Sequence, residues 1–172
     1  MKNRKIAEPG RILSMMATLD CASIPRPSGA ICLPNADHSL KGSDAYQTLQ
    51  ACYNAVLNNV PLPQYSWTME KDGAIHVTAK TTPSEVKLWQ ATNPEARDFR
   101  METLGPKWQS TMLNPEGGGY VGKVAEPAKG WTAFFVELTF PSGNPAPFKF
   151  TTQVRVVPDV LPHKFVPKGR PQ

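Results

Sequence analysis

The chain has 172 residues, 40% hydrophobic and 19% charged, apolar enough to bury a domain-sized core and too apolar for wholesale disorder. Its formal net charge of +5 is scattered, with Lys/Arg runs only near the ends (Lys2, Arg4, Lys5; Lys164, Lys168, Arg170). A nucleic-acid partner is set aside for want of a basic stripe, and a membrane span because no segment approaches roughly 18 apolar residues.

Residues 1–30 show no sustained period, and Ile24–Gly29 is turn punctuation. The basic start followed by Ile12–Leu19 is a weak secretory signal, broken by Ser14 and Thr18 and ending in Asp20. Ala30–Leu33 reads as a short buried strand, followed by a loop over 34–42. Ser43 and Asp44 supply a helix start. From there Ala45, Leu49, Cys52, Tyr53, Val56, Leu57 and Val60 recur at helical spacing, predicting an amphipathic helix over 43–60. Pro61-Leu62-Pro63 ends it and marks a domain boundary.

Beyond Pro63 the period falls from 3.6 to 2. Tyr65–Met69, Ile75–Ala79 and Val86–Ala91 read as strands, the first two joined through Lys71-Asp72-Gly73. Arg97–Met101, Trp108–Leu113 and Tyr120–Ala125 are further candidates. Trp131–Phe140 and Phe148–Val157 are the clearest strands. In the first, Thr132, Phe134, Val136, Leu138 and Phe140 share a face. In the second, Phe148, Phe150, Thr152, Val154 and Val156 point inward. Proline, with 18 residues against a usual share of about 5%, suits strand edges and turns. The expected fold class is therefore α+β dominated by β. An immunoglobulin-like β-sandwich over 63–158, close to the usual size of about 100 residues, leads into a Pro-rich tail over 159–172.

Chemistry is sparse. Cys21, Cys32 and Cys52 have no metal-ligand spacing, and with three scattered histidines they predict neither a zinc site nor a cofactor. Trp67, Trp89, Trp108 and Trp131 fall within β segments, where packing is favoured over a ligand cleft. His76 lies on a strand's outer face and His163 in the tail. His38 is the one catalytic candidate. It follows a short strand and precedes a helix, the local setting of the histidine in a Ser–acid–His hydrolase. On spacing alone a plain loop histidine beside Asp37 is the better reading. No Gly-x-Ser-x-Gly occurs, and a histidine without nucleophile and orienting acid cannot run acyl transfer.

Four segments in order give the chain a resemblance: Leu33–Leu40; Val86–Pro94 with Ala96–Arg100; Gly130–Phe140; and Phe150–Pro158. Together they resemble the PhoPQ-activated pathogenicity-related protein family, over about residues 31 to 162. The family's proteins look like exported α/β-hydrolase-type proteins with a C-terminal β domain, named for induction by a two-component system. The resemblance implies that 31–62 is the last strand, His loop and helix of a hydrolase-like domain. It places His38 as the histidine of an incomplete triad whose serine and acid lie in the rest of the protein, leaving this chain inactive alone. It also implies an exported or periplasmic setting. Residues 1–30 depart from the family pattern. The missing hydrolase core is the expected partner of helix 43–60, and without it the helix face invites self-association. Two other readings are a free-standing sandwich that binds a protein or cell-surface ligand, and a small esterase using His38.

Overall fold

The computed structural model describes residues 31–37, 39, 40 and 42–162; His38, His163 and Cys21 lie outside them. Helix α1 (Ala45–Leu57) begins where the sequence expects. Its N-cap residue Asp44 makes no capping bond, because its carboxylate takes the ammonium of Lys149 instead. The Ser43 hydroxyl accepts the Ala45 N–H at 3.4 Å. At the far end Asn58 donates to the Asn54 carbonyl at 2.9 Å.

Two sheets follow, so the described residues are β-dominated with one substantial helix. The smaller sheet has the order β1-β2-β5, formed by β1 (Tyr65–Met69), β2 (Ile75–Ala79) and β5 (Tyr120–Gly122). The β1–β2 turn closes because Asp72 accepts the Ala74 N–H at 3.0 Å and Gly73 takes φ +90°, a region open to glycine. The larger sheet contains β3 (Glu85–Asn93), β4 (Gln109–Met112), β6 (Trp131–Phe140), β7 (Phe148–Thr151) and β8 (Arg155–Val157). Its order is β4-β3-β6-β7, with β8 also pairing β6. A single helical turn, α2 (Met101–Leu104), sits in the β3–β4 connection.

The core lies where Ile75 and Val77 of the smaller sheet join Val86, Leu88, Phe134, Val136, Leu138, Phe140, Phe148 and Phe150 of the larger one. Each such side chain, once fully buried, contributes about 1.5–3 kcal/mol. Helix α1 packs on β7 and brings Ala51, Cys52 and Ala55 into the same core cluster.

Three expectations change. Residues 31–33 form no strand, although Cys32 donates its N–H to Thr151 Oγ1 at 3.0 Å. Arg97–Met101 is a turn leading into α2, since Pro94 interrupts the chain and Asn93 Oδ1 accepts the N–H groups of Glu95 and Ala96 at 3.0 and 3.2 Å. Phe148–Val157 is two strands, not one. Thr152 substitutes its hydroxyl for a backbone acceptor, taking the Val136 N–H at 3.1 Å, while its own N–H donates to the Val136 carbonyl at 2.9 Å. The chain slips at this point, so Val154 is exposed and Val157 is buried.

The helix packs on its small residues. Its buried residues are Thr48, Ala51, Cys52 and Ala55. Of the predicted apolar face, Leu49 is 47% exposed, Tyr53 62%, Val56 66% and Leu57 59%. Small residues let α1 lie close on β7, and the larger apolar ones face away.

Candidate functional site

The loop that carries His38 in the sequence is held from both sides. Asn35, at φ +56°, donates from Nδ2 to the Trp108 carbonyl at 2.9 Å and accepts the Trp108 N–H on Oδ1 at 3.0 Å. This two-bond clamp spans 73 residues of sequence. Downstream, Asp37 Oδ1 accepts the Ser39 N–H at 2.8 Å and the Ser39 hydroxyl at 2.6 Å. Leu40 N–H donates to the Asp37 carbonyl at 3.1 Å. The residues flanking position 38 are thus an Asp-initiated turn on an anchored stem.

The clamp rests on aromatic packing against the second face of the larger sheet. Trp108 lies 5.3 Å from Phe135 and 6.3 Å from Phe99, centroid to centroid. Its indole N–H donates to the Phe99 carbonyl at 3.3 Å. A cavity of about 190 Å³ opens there, lined by Leu33, Pro34, Asn35, Phe99, Trp108 and Phe135 among others. Cys32 lines it too, and burial pushes its thiol pKa up against the lowering effect of the Thr151 hydroxyl.

Beyond Phe135 the same face carries charge. Glu137 is 4% exposed in the centre of β6, opposite Lys87 on β3 and Thr151 on β7. Lys87 pairs with Glu85 at 2.7 Å, and Lys149 with Asp44 of the helix start. Burial raises the Glu137 pKa. Lys149, Trp89 and Lys87 pull it back, and Asp44 pushes with the burial. A carboxyl that binds its proton more tightly folded than unfolded adds most stability at low pH. That contribution is lost as pH rises from the ordinary glutamate range through the raised value. Urea midpoints measured upward from about pH 4 should therefore carry a falling component that Glu137→Gln removes. An unchanged profile in the variant would refute the assignment. Asp98 works in a separate window. The Arg100 guanidinium, the Arg100 N–H and the Thr103 hydroxyl hold its carboxyl well below the usual range, so its contribution is lost only on acidification.

Sequence reading missed this cluster and the clamp. Glu137 could have been flagged as a lone acid inside an apolar run; the Asn35–Trp108 pairing left no local signal.

Among the described residues the geometry is that of a β-dominated, two-sheet fold with a small-residue helix docked on one edge and an anchored loop beside an aromatic cavity. Residues 23–100 match the model of the PhoPQ-activated pathogenicity-related protein family. The resemblance is therefore borne out as a match over that stretch, where the chain is similar to the PhoPQ-activated pathogenicity-related family. The match lies in the N-terminal part of the chain, and the segments at 130–140 and 150–158 fall beyond it. The chain is also similar to autocrine proliferation repressor protein A of Dictyostelium discoideum, 30% identical over 156 residues, covering 76% of this chain and 32% of that protein. It thus spans about a third of the length of this curated relative. No solved structure matches it. Among the described residues no helix is long and apolar enough to cross a membrane.

Proposed function

We propose that the chain is the C-terminal part of a PhoPQ-activated pathogenicity-related protein, inactive by itself. In this reading 31–62 closes an α/β-hydrolase-like domain, 63–158 is an immunoglobulin-like sandwich, and 159–172 is its tail. His38 is the triad histidine, in a loop whose neighbouring residues are fixed by the Asn35 clamp and the Asp37 turn; the serine and the acid belong to the rest of the protein.

The carrying observation is the outer face of α1, where Tyr46, Leu49, Tyr53, Val56 and Leu57 all stand exposed. A run of large apolar side chains on one helix is an interface waiting for its other half. The relative, more than twice as long as this chain with only 32% of it matched, supplies an occupant: the remaining domain of the same protein. Residues 31–33, without a ladder of their own, fit a last strand whose sheet lies in that domain.

Two measurements test this. Alone, the chain should self-associate in sedimentation runs, and Tyr53→Glu with Val56→Lys should restore a monomer at a stability change within about 0.5 kcal/mol per site. A wild-type chain monomeric at all concentrations would count against the docking face. The DNA ahead of the Met1 codon, read in all frames, should encode a hydrolase core with a serine elbow. In protein assembled with that core, His38→Ala should lower ester turnover by at least about 10³-fold. A promoter and ribosome-binding site directly before Met1 would sink the proposal and favour a free-standing binding module.

A further inference from the structure

The face of the molecule where β1 ends and β8 begins holds a cleft of about 450 Å³, within the usual size range of ligand sites. Its charged lining is Glu70, Lys71, Arg97, Arg155 and Asp159. Glu70 turns its carboxylate to the Thr68 hydroxyl at 2.7 Å. Its carbonyl instead accepts from Arg155, whose Nη1 donates to the Glu70 and Ala74 carbonyls at 2.8 and 3.4 Å. That fixes the Arg155 fork in the wall.

Arg97 is placed just as firmly by its turn. Asn93 binds the Glu95 and Ala96 N–H groups on one side of it and donates to the Asp98 carbonyl at 2.7 Å on the other. Yet the Arg97 Nε is buried with no hydrogen-bond partner. Among the described residues its Nη2 reaches only Asp159, at 3.8 Å, and that carboxylate is 84% exposed. An exposed ion pair at this distance is weak, whereas a buried guanidinium donor left unmade is costly. Arg97 therefore lines the cleft with its Nε donor unspent. Counting Arg97 with Arg155 and Lys71 against Glu70 and Asp159, the lining is cationic by one charge.

We propose that this cleft binds a carboxylate, received by the Arg97 fork between Nε and Nη and supported by the field of Arg155 and Lys71. A planar, two-oxygen anion matches adjacent N–H donors in a way that halide cannot. Bound there, it displaces the loose Asp159 contact and satisfies the Nε. The site is independent of His38 and of the α1 face.

Acetate is the probe. The full chain is titrated with sodium acetate against sodium chloride at equal ionic strength, following the Arg97 Nε–H signal by NMR. Acetate should move that signal saturably and raise Tm by about 3–5 °C at roughly tenfold excess over its Kd; chloride should do neither. Arg97→Lys keeps the charge but loses the fork, and should fold normally while losing the acetate-dependent Tm rise. Succinate binding tighter than acetate would place Lys71 or Arg155 on a second carboxylate of the same ligand. An Arg97 signal that acetate leaves unmoved, an equal response to chloride, or saturation by inorganic phosphate but not by acetate would overturn the proposal.

Discussion

Phe135→Ala and Phe134→Ala should each cost about 3–5 kcal/mol, but only the first should release the His38 loop. The two phenylalanines are neighbours on β6, at 1% and 0% exposure, and point to opposite faces. Phe134 belongs to the core between the sheets. Phe135 carries Trp108 at 5.3 Å, and Trp108 holds Asn35 through two backbone-to-amide bonds. Removing the Phe135 ring takes away the surface on which Trp108 sits, so the clamp loses its support. Hydrogen exchange at the Trp108 amide reads this directly: it should speed up in Phe135→Ala beyond what the loss of global stability explains, and track global stability alone in Phe134→Ala. Should the alanine variant fail to fold, Phe135→Leu keeps most of the volume and tests the same exchange difference. Equal protection of Trp108 in both variants would mean that the loop is anchored elsewhere.

The residues that sequence reading placed well are those whose environment is local. β1, β2 and β6 match their expected bounds, because alternation and turn chemistry are written in consecutive positions. Even so, β6 is buried on both faces from Thr132 to Phe140, where the sequence marked only one shared apolar face. Alternation cannot announce that loops will cover the second face, although Ala133 and Phe135 on it hinted as much. The helix shows the same limit. Its period was legible, but the choice between a large apolar face and a small one depends on the partner, and β7 accepts Ala51, Cys52 and Ala55. Thr152 illustrates a third kind of failure. A threonine in a β-branched run reads as strand, yet its hydroxyl can replace a backbone acceptor and break the ladder. The Asn35–Trp108 clamp was beyond reach, since nothing near either residue encodes a contact 73 positions away.

Gly130→Ala should destabilise the chain by about 2–5 kcal/mol, while Gly143→Ala costs only about 1 kcal/mol. Both glycines take positive φ, +77° and +75°, so both variants meet the backbone penalty of an L side chain in that region. They differ in what the new methyl group meets. At Gly143 nothing lies within 4 Å. At Gly130 it would sit 2.2 Å from the Asn93 carbonyl oxygen and 2.5 Å from Pro94 Cα, both backbone atoms that cannot swing aside. Gly130 enters β6 where Asn93 leaves β3, at the last pair of their ladder, Asn93 with Trp131. Relief of the clash must part the two central strands or shift the turn that Asn93 organises, and that turn positions Arg97. Urea unfolding of the two variants separates the contributions: the difference between them is the clash alone. The acetate response of the Arg97 signal should weaken in Gly130→Ala and persist in Gly143→Ala. Equal costs at the two positions would show that the β3–β6 exit is loose enough to admit a methyl group.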